Sequence, residues 1–252
     1  MFQVLLKKEI LEARRTSRLL VTLVVFFVAG LISPVLAKYT PLILSSIPDL
    51  PAGLANAIPN PTVQDAITQY VKNISQFGIL LVILFGMASI AQEKERGTAA
   101  MLLTKPVRRR DVILAKWLAA VLTMLGGLAA SATACLIYTA ILFQWLPVKE
   151  YLMLNGLMAI FLGVYLTVSI FASSLARSQS MAAAGAFGGL VILLVLSSIP
   201  RLSDFLPGQL LGWGSELLFG GGKAAWGALA VSLGLIIVML ILAVLHFERE
   251  EI

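Results

Sequence analysis

Residues 117–148, WLAAVLTMLGGLAASATACLIYTAILFQWLPV, run for 32 positions without an Asp, Glu, Lys or Arg. A helix needs roughly 20 predominantly apolar residues to cross about 30 Å of hydrocarbon at ~1.5 Å per residue. The run exceeds that length even with Pro147 near its end, so it predicts a helix that crosses a bilayer and projects beyond it. Five more charge-free runs accompany it, at 19–37, 73–92, 151–176, 178–200 and 224–247. With 59% hydrophobic and 13% charged residues, the composition excludes an ordinary soluble domain. Ten-residue alternating strands are absent, which leaves helices as the spanning form. The expected fold class is all-α, a polytopic membrane protein of six transmembrane helices at about 19–37, 73–92, 112–145, 151–175, 179–199 and 224–246. These spans form one transmembrane domain over 1–252.

The 19 Lys and Arg residues set the orientation, because positive residues are retained on the cytoplasmic side. Fourteen fall on one side: Lys7, Lys8, Arg14, Arg15 and Arg18, seven more between 93 and 116, then Arg177 and Arg249. The other side holds Lys38, Lys72, Lys149, Arg201 and Lys223. Both termini are therefore expected in the cytoplasm of a cell whose inner (plasma) membrane holds the chain. The net charge of +6 reads as orientation and contact with anionic lipids. No basic stripe with interleaved aromatics points to nucleic acid. Eighteen largely amphipathic residues precede the first run, so no cleaved signal peptide is expected.

Within 1–18, Phe2, Leu6, Ile10 and Ala13 recur at helical spacing with Lys7, Lys8, Arg14 and Arg15 mostly opposite. This predicts an interfacial helix with its basic face at the headgroups and its apolar face at the acyl boundary. The outside segment 38–72 carries five prolines, so its first half is expected to be irregular. Thr62 and Asp65 then have capping-box spacing for a short helix leading into the second span. Gly126, Gly127 and the small residues 129–134 crowd the middle of the third span, and Gly185, Gly188 and Gly189 mark the fifth. Small residues permit close helix approach.

Between spans two and three lies EKERGTAAMLLTKPVRRRDVILAKW, residues 93–117. It alternates charge to Gly97, forms a compact helical stretch from Thr98 to Leu103 that Pro106 ends, and passes through Arg108, Arg109 and Arg110 to Asp111, the expected N-cap of the third span. A helix, a break and a new helix make a lever. The segment 200–223 stays apolar while carrying glycines and prolines. Two readings remain open for it: a re-entrant pair of half-helices with Pro207, Gly208 and Trp213 as a candidate outer gate, or a tryptophan-anchored surface loop.

The order of these parts resembles the permease subunits of type-2 ABC transporters. The resemblance covers essentially the whole chain and rests on the basic N-terminal helix, segment 93–117, the short turn after span four and the half-helix-like segment before span six. It implies that the coupling segment 93–111 meets an ATPase, with Glu93, Glu95, Arg96, Gly97, Thr98, Met101, Leu102, Leu103, Pro106 and Arg108 as ATPase-coupling residues and Lys116 completing the motif. Glu9, Glu12, Arg14 and Arg15 would add contacts from the first helix. It further implies a separate ABC ATPase, in two copies, carrying ATP and Mg, and a second permease chain as a homodimer. Export is the direction implied.

The residues exclude rival chemistry. No G-x-x-x-x-G-K-[ST] loop occurs, so the chain is expected to bind no nucleotide, to hydrolyse none itself and to hold no catalytic residue. The charge-free runs argue against a proton- or sodium-coupled transporter. His246 is the single histidine and Cys135 the single cysteine, which leaves no metal cluster and no catalytic dyad. Spans lined by Ser, Thr, Gly and apolar groups suit a lipid-like, peptide or amphipathic cargo. A membrane scaffold or assembly factor without transport is the alternative.

Overall fold

The structure is a computed structural model that describes residues 2–45, 60–98 and 108–249. Among them nine helices and no strand occur. In chain order they are α1 (Phe2–Arg15), α2 (Arg18–Ser45), α3 (Val63–Glu95), α4 (Arg109–Leu142), α5 (Val148–Leu175), α6 (Gln179–Ser197), α7 (Pro200–Ser203), α8 (Gly208–Leu218) and α9 (Trp226–Arg249). Six of them, α2 to α6 and α9, are long and apolar enough to cross a membrane. The all-helical, six-span fold class expected from composition is the one observed.

Burial ranks the spans. In α5, 72% of the apolar stretch lies inside the protein, against 17% in α6 and in α9. Helix α5 is thus the post of the bundle, in contact with α3, α6, α8 and α9, while α2 packs on α3 and α4. The core between them is built on Phe26, Ile67, Tyr70, Ile74, Tyr151, Leu154, Met158, Leu162 and Leu166.

Missing side chains set the closest approaches. A Cβ on Gly86 of α3 would come within 2.5 Å of the Ser169 Cβ on α5, and one on Gly127 of α4 within 2.7 Å of Thr22 on α2. On Gly30 of α2 it would collide with the Ser131 backbone of α4. The small residues of the third span therefore face protein, as expected, but not uniformly: Gly126 looks into open space. In the fifth span Gly185 and Gly189 approach Ala172 and Val168 of α5, whereas Gly188 is open.

Two local expectations need correction. The first half of segment 38–72 is not irregular as far as it is described, because α2 continues to Ser45 with Pro34 and Pro41 inside it. The remainder, through residue 59, lies outside the described residues. Secondly, Asp111 is not an N-cap. Helix α4 begins two residues earlier, with Arg108 as cap and no side-chain cap bond, and Asp111 falls in the first turn, where its charge meets the positive end of the helix dipole. The Thr62 and Asp65 capping box is present, each side chain bonded to the other's backbone N–H, and opens α3 as a single helix that includes the second span.

Candidate coupling site at the end of helix α3

The last turn of α3 is Gln92-Glu93-Lys94-Glu95, and consecutive helical residues point about 100° apart. Four residues therefore sweep the whole circumference, and here each finds a different neighbour. Gln92 Oε1 accepts from Arg18 Nη2 of α2 at 3.0 Å. Glu93 Oε1 accepts from Lys116 Nζ of α4 at 2.8 Å and from Lys8 Nζ of α1 at 3.2 Å. Lys94 Nζ donates to the Ser174 carbonyl on α5 at 2.6 Å and stands 5.7 Å from the Phe247 ring centroid of α9. Glu95 Oε2 accepts from the backbone N–H of Gln179 at 2.9 Å, capping the start of α6. A carboxylate at that position also meets the positive end of α6.

Lys116 forms the centre of this ring. Its side chain is 3% exposed and its ammonium binds both Glu9 oxygens at 3.2 Å besides Glu93. Lys8 closes the circuit on Glu9 at 2.9 Å and on Glu12 at 3.4 Å. Burial opposes the Lys8 charge, but Glu9, Glu93 and Glu12 outweigh it and hold its pKa above the ordinary value. The carboxylates of Glu9, Glu12 and Glu93 approach one another closely enough to suggest a metal site. Lys8 and Lys116 already stand among them and offset two of the three charges, so the arrangement is an ion-pair hub.

The backbone yields at the same place. Ser173 Oγ of α5 accepts from the N–H groups of Ile90 and Ala91 and donates to the Met87 carbonyl, so α5 is bonded into the helical ladder of α3. Helix α3 ends at Glu95 with Arg96 as its C-cap, whose N–H reaches back to Gln92, and Gly97 turns the chain at φ +70°. A residue with a Cβ disfavours that conformation. Thr98 Oγ1 bonds back to the Glu93 carbonyl at 3.2 Å. Arg96, Gly97 and Thr98 are exposed.

Helix α1 lies across the start of α4. Its apolar face is only partly the stripe expected from spacing: Leu5, with Phe2 and Leu6, packs on Val112 and Ala115, whereas Ile10 is exposed. Lys7, Arg14 and Arg15 are exposed. Arg109 donates to the Phe247 and Glu248 carbonyls at the end of α9, a cation satisfying a helix C-terminus.

Sequence-predicted residues thus divide into three groups. Glu93 and Glu95 are brought to the same end of the bundle but face opposite neighbours, and their oxygens are engaged within the chain. Arg96, Gly97, Thr98 and Arg108 are exposed beside them. Met101, Leu102, Leu103 and Pro106 lie outside the described residues. The role of Lys8, Glu9 and Gln92 in gripping α2, α4 and the tail of α3 was not read from the sequence. A signal existed in the lone buried-side Lys116, which ends the motif just before an uncharged run and needs a carboxylate.

At the other end of the bundle, Trp213 of α8 is buried against Leu157, Leu210 and Ala228. Its ring meets that of Trp226 edge-on with centroids 5.3 Å apart. Gly214 lets α8 settle on Leu154 and Leu157 of α5. Pro207 precedes α8 as its cap and Gly208 opens it.

Six helices long and apolar enough to span a membrane, with a short N-terminal helix tied to the end of the second of them, make the architecture of a multi-pass membrane protein. The model of the ABC-2 family transporter proteins matches residues 3–252, and the chain belongs to that family. It is 25% identical over 250 residues to the uncharacterised transmembrane protein YxlG of Bacillus subtilis (strain 168), covering 98% of this chain and 97% of that one. The chain is accordingly a multi-pass membrane protein and the permease-type subunit of an ABC transporter, whose partner is an ABC ATPase.

Proposed function

We propose that this chain forms the cargo pathway of an exporter for a lipid-like, peptide or amphipathic molecule, working as a homodimer on two ATPase subunits at the cytoplasmic side of the plasma membrane. The observation that supports this reading is the ring at residues 92–95. The proposed coupling segment, 93–111, is rooted in a turn whose side chains hold α1, α2, α4, α5, α6 and α9. A push on the chain beyond Glu95 reaches every span within one turn. Allosteric work of this kind needs two arrangements of the bundle with different affinity for cargo and for the ATPase state.

In this reading Met101, Leu102 and Leu103 fill a groove on the ATPase while Arg96, Thr98, Pro106 and Arg108 border it, an apolar centre with a polar rim. Glu93 and Glu95 act behind that contact, passing displacement to α4 and α6 respectively. Helix α8, seated beside α5 with Pro207, Gly208 and Trp213, closes the pathway at the outer side.

The test is co-expression with a candidate ABC ATPase from the same genome. Leu102→Asp is expected to abolish co-purification while the chain still folds. Glu95→Gln is expected to retain the complex but weaken the response of ATP hydrolysis to cargo. A folded wild-type chain that retains no ATPase would instead favour the scaffold reading.

A further inference from the structure

A partly open cavity of about 50 Å³ lies directly beneath the ion-pair hub, lined by α1 to α5. That is room for a short alkyl segment, several times the space a single water needs. Its lining is graded along one axis. At the hub end stand Glu9, Glu12, Arg18 and Lys116, and deeper in come Phe26, Leu81, Val82, Phe85, Met124 and Leu166. Such a gradient matches a molecule with a polar head and an apolar tail.

The polar groups at its mouth differ in how far they are used. Lys116 is saturated by Glu9 and Glu93. Thr22, Ser89 and Thr123 spend their hydroxyl protons on carbonyls within their own helices. Arg18 makes one hydrogen bond among the described residues, to Gln92, out of five N–H donors that a guanidinium carries. Among the described residues the Glu12 carboxylate is paired with Lys8, at 3.4 Å through one oxygen. A cation with spare donors and an anion with spare acceptors therefore border one opening, on the two sides of the α1–α2 corner. Ser17 turns that corner at φ +59°.

We propose that this cavity binds one phospholipid of the surrounding bilayer, with a zwitterionic, ammonium-bearing headgroup. Arg18 takes the phosphate as a fork-shaped donor, Glu12 takes the ammonium, and the first methylenes of one chain enter between Phe26, Val82 and Met124. A purely anionic headgroup would satisfy Arg18 but meet the Glu12 carboxylate. A lipid seated there would brace α1 against α2 beside the hub.

The experiment is native mass spectrometry of the full chain purified from vesicles of phosphatidylethanolamine and phosphatidylglycerol. The wild type is expected to retain one phosphatidylethanolamine in preference to phosphatidylglycerol. Arg18→Gln and the cavity-filling Ala120→Phe should each lower retention about tenfold, the worth of one charge-assisted hydrogen bond or more. Glu12→Gln should keep a lipid but lose the preference for the zwitterion. Thermal melting of each variant separates loss of binding from loss of fold, and Glu12→Gln tests the chemistry if Ala120→Phe does not fold. Equal retention by all variants, no retained lipid in the wild type, or a wild-type preference for phosphatidylglycerol would each overturn the site.

Discussion

Lys116 is the side chain on which most else at the hub depends. It is buried with its charge, and a buried cation is tolerated only with its carboxylates in place. Lys116→Met leaves Glu9 and Glu93 to share the part-exposed Lys8 and should cost ~3–5 kcal/mol in stability, seen as a large drop in melting temperature in detergent. Adding Glu9→Gln and Glu93→Gln to that variant removes the stranded charges and should recover most of the loss. Lys8 differs, being 42% exposed. Because its pKa is raised in the fold, its contribution is complete below the ordinary lysine value of 10.5 and fades only as pH climbs beyond that. The melting difference between wild type and Lys8→Met should therefore stay constant from about pH 7 to 9. Ser17 stores backbone strain at the α1–α2 corner. Ser17→Gly should raise stability by up to ~1 kcal/mol and Ser17→Val should lower it by more, since only glycine occupies positive φ freely.

At the scale of helices, the adjacent pair Gly126 and Gly127 provides a sharp comparison. Gly127 faces Thr22 and Phe26, whereas Gly126 faces nothing within 4 Å. Gly127→Leu should force α4 off α2 and cost ~1–3 kcal/mol by overpacking. Gly126→Leu should be neutral or slightly stabilising, because leucine is the better helix former by up to ~1 kcal/mol. Chemical denaturation of both in one detergent checks the contrast. The same pair shows where sequence reading stops. Small residues in a span announce a close contact, but 3.6-fold periodicity alone does not say which of two neighbours makes it. Asp111 is a similar case: its type suits a cap, yet the helix starts at Arg109 because Arg108 can already adopt the extended cap conformation. Conversely, Thr62 and Asp65 were legible since a capping box is wholly local. The span count was legible for an equally general reason, the absence of charge in six long runs.

For the molecule as a whole, orientation carries the sharpest prediction. With Cys135→Ser as background, Arg177→Cys and Gly221→Cys, both exposed, sit at opposite ends of the bundle. Arg177→Cys is expected to react with an impermeant thiol reagent only after the membrane is opened, and Gly221→Cys in intact cells. Reversed labelling would invert the topology and with it the side from which an ATPase could act. The hub itself was only half visible in the sequence. Glu93 and Lys116 stood out by their place in the coupling motif, but their union with Lys8 and Glu9 joins residues 85 to 107 positions apart. Only packing of α1 across α4 creates that juxtaposition, and no local pattern encodes it.

Helix lengths in the bundle are unequal: α4 has 34 residues and α6 has 19. At ~1.5 Å per residue these are about 51 and 28 Å. The long helices can tilt or protrude, but α6, barely covered by protein, must match the lipid around it. A hydrophobic span of about 28 Å is already near the lower end of bilayer thickness. The protein therefore carries a built-in gauge: a thicker membrane must thin beside α6 or pull its capped start away from Glu95, so the composition of the bilayer sets tension on the hub.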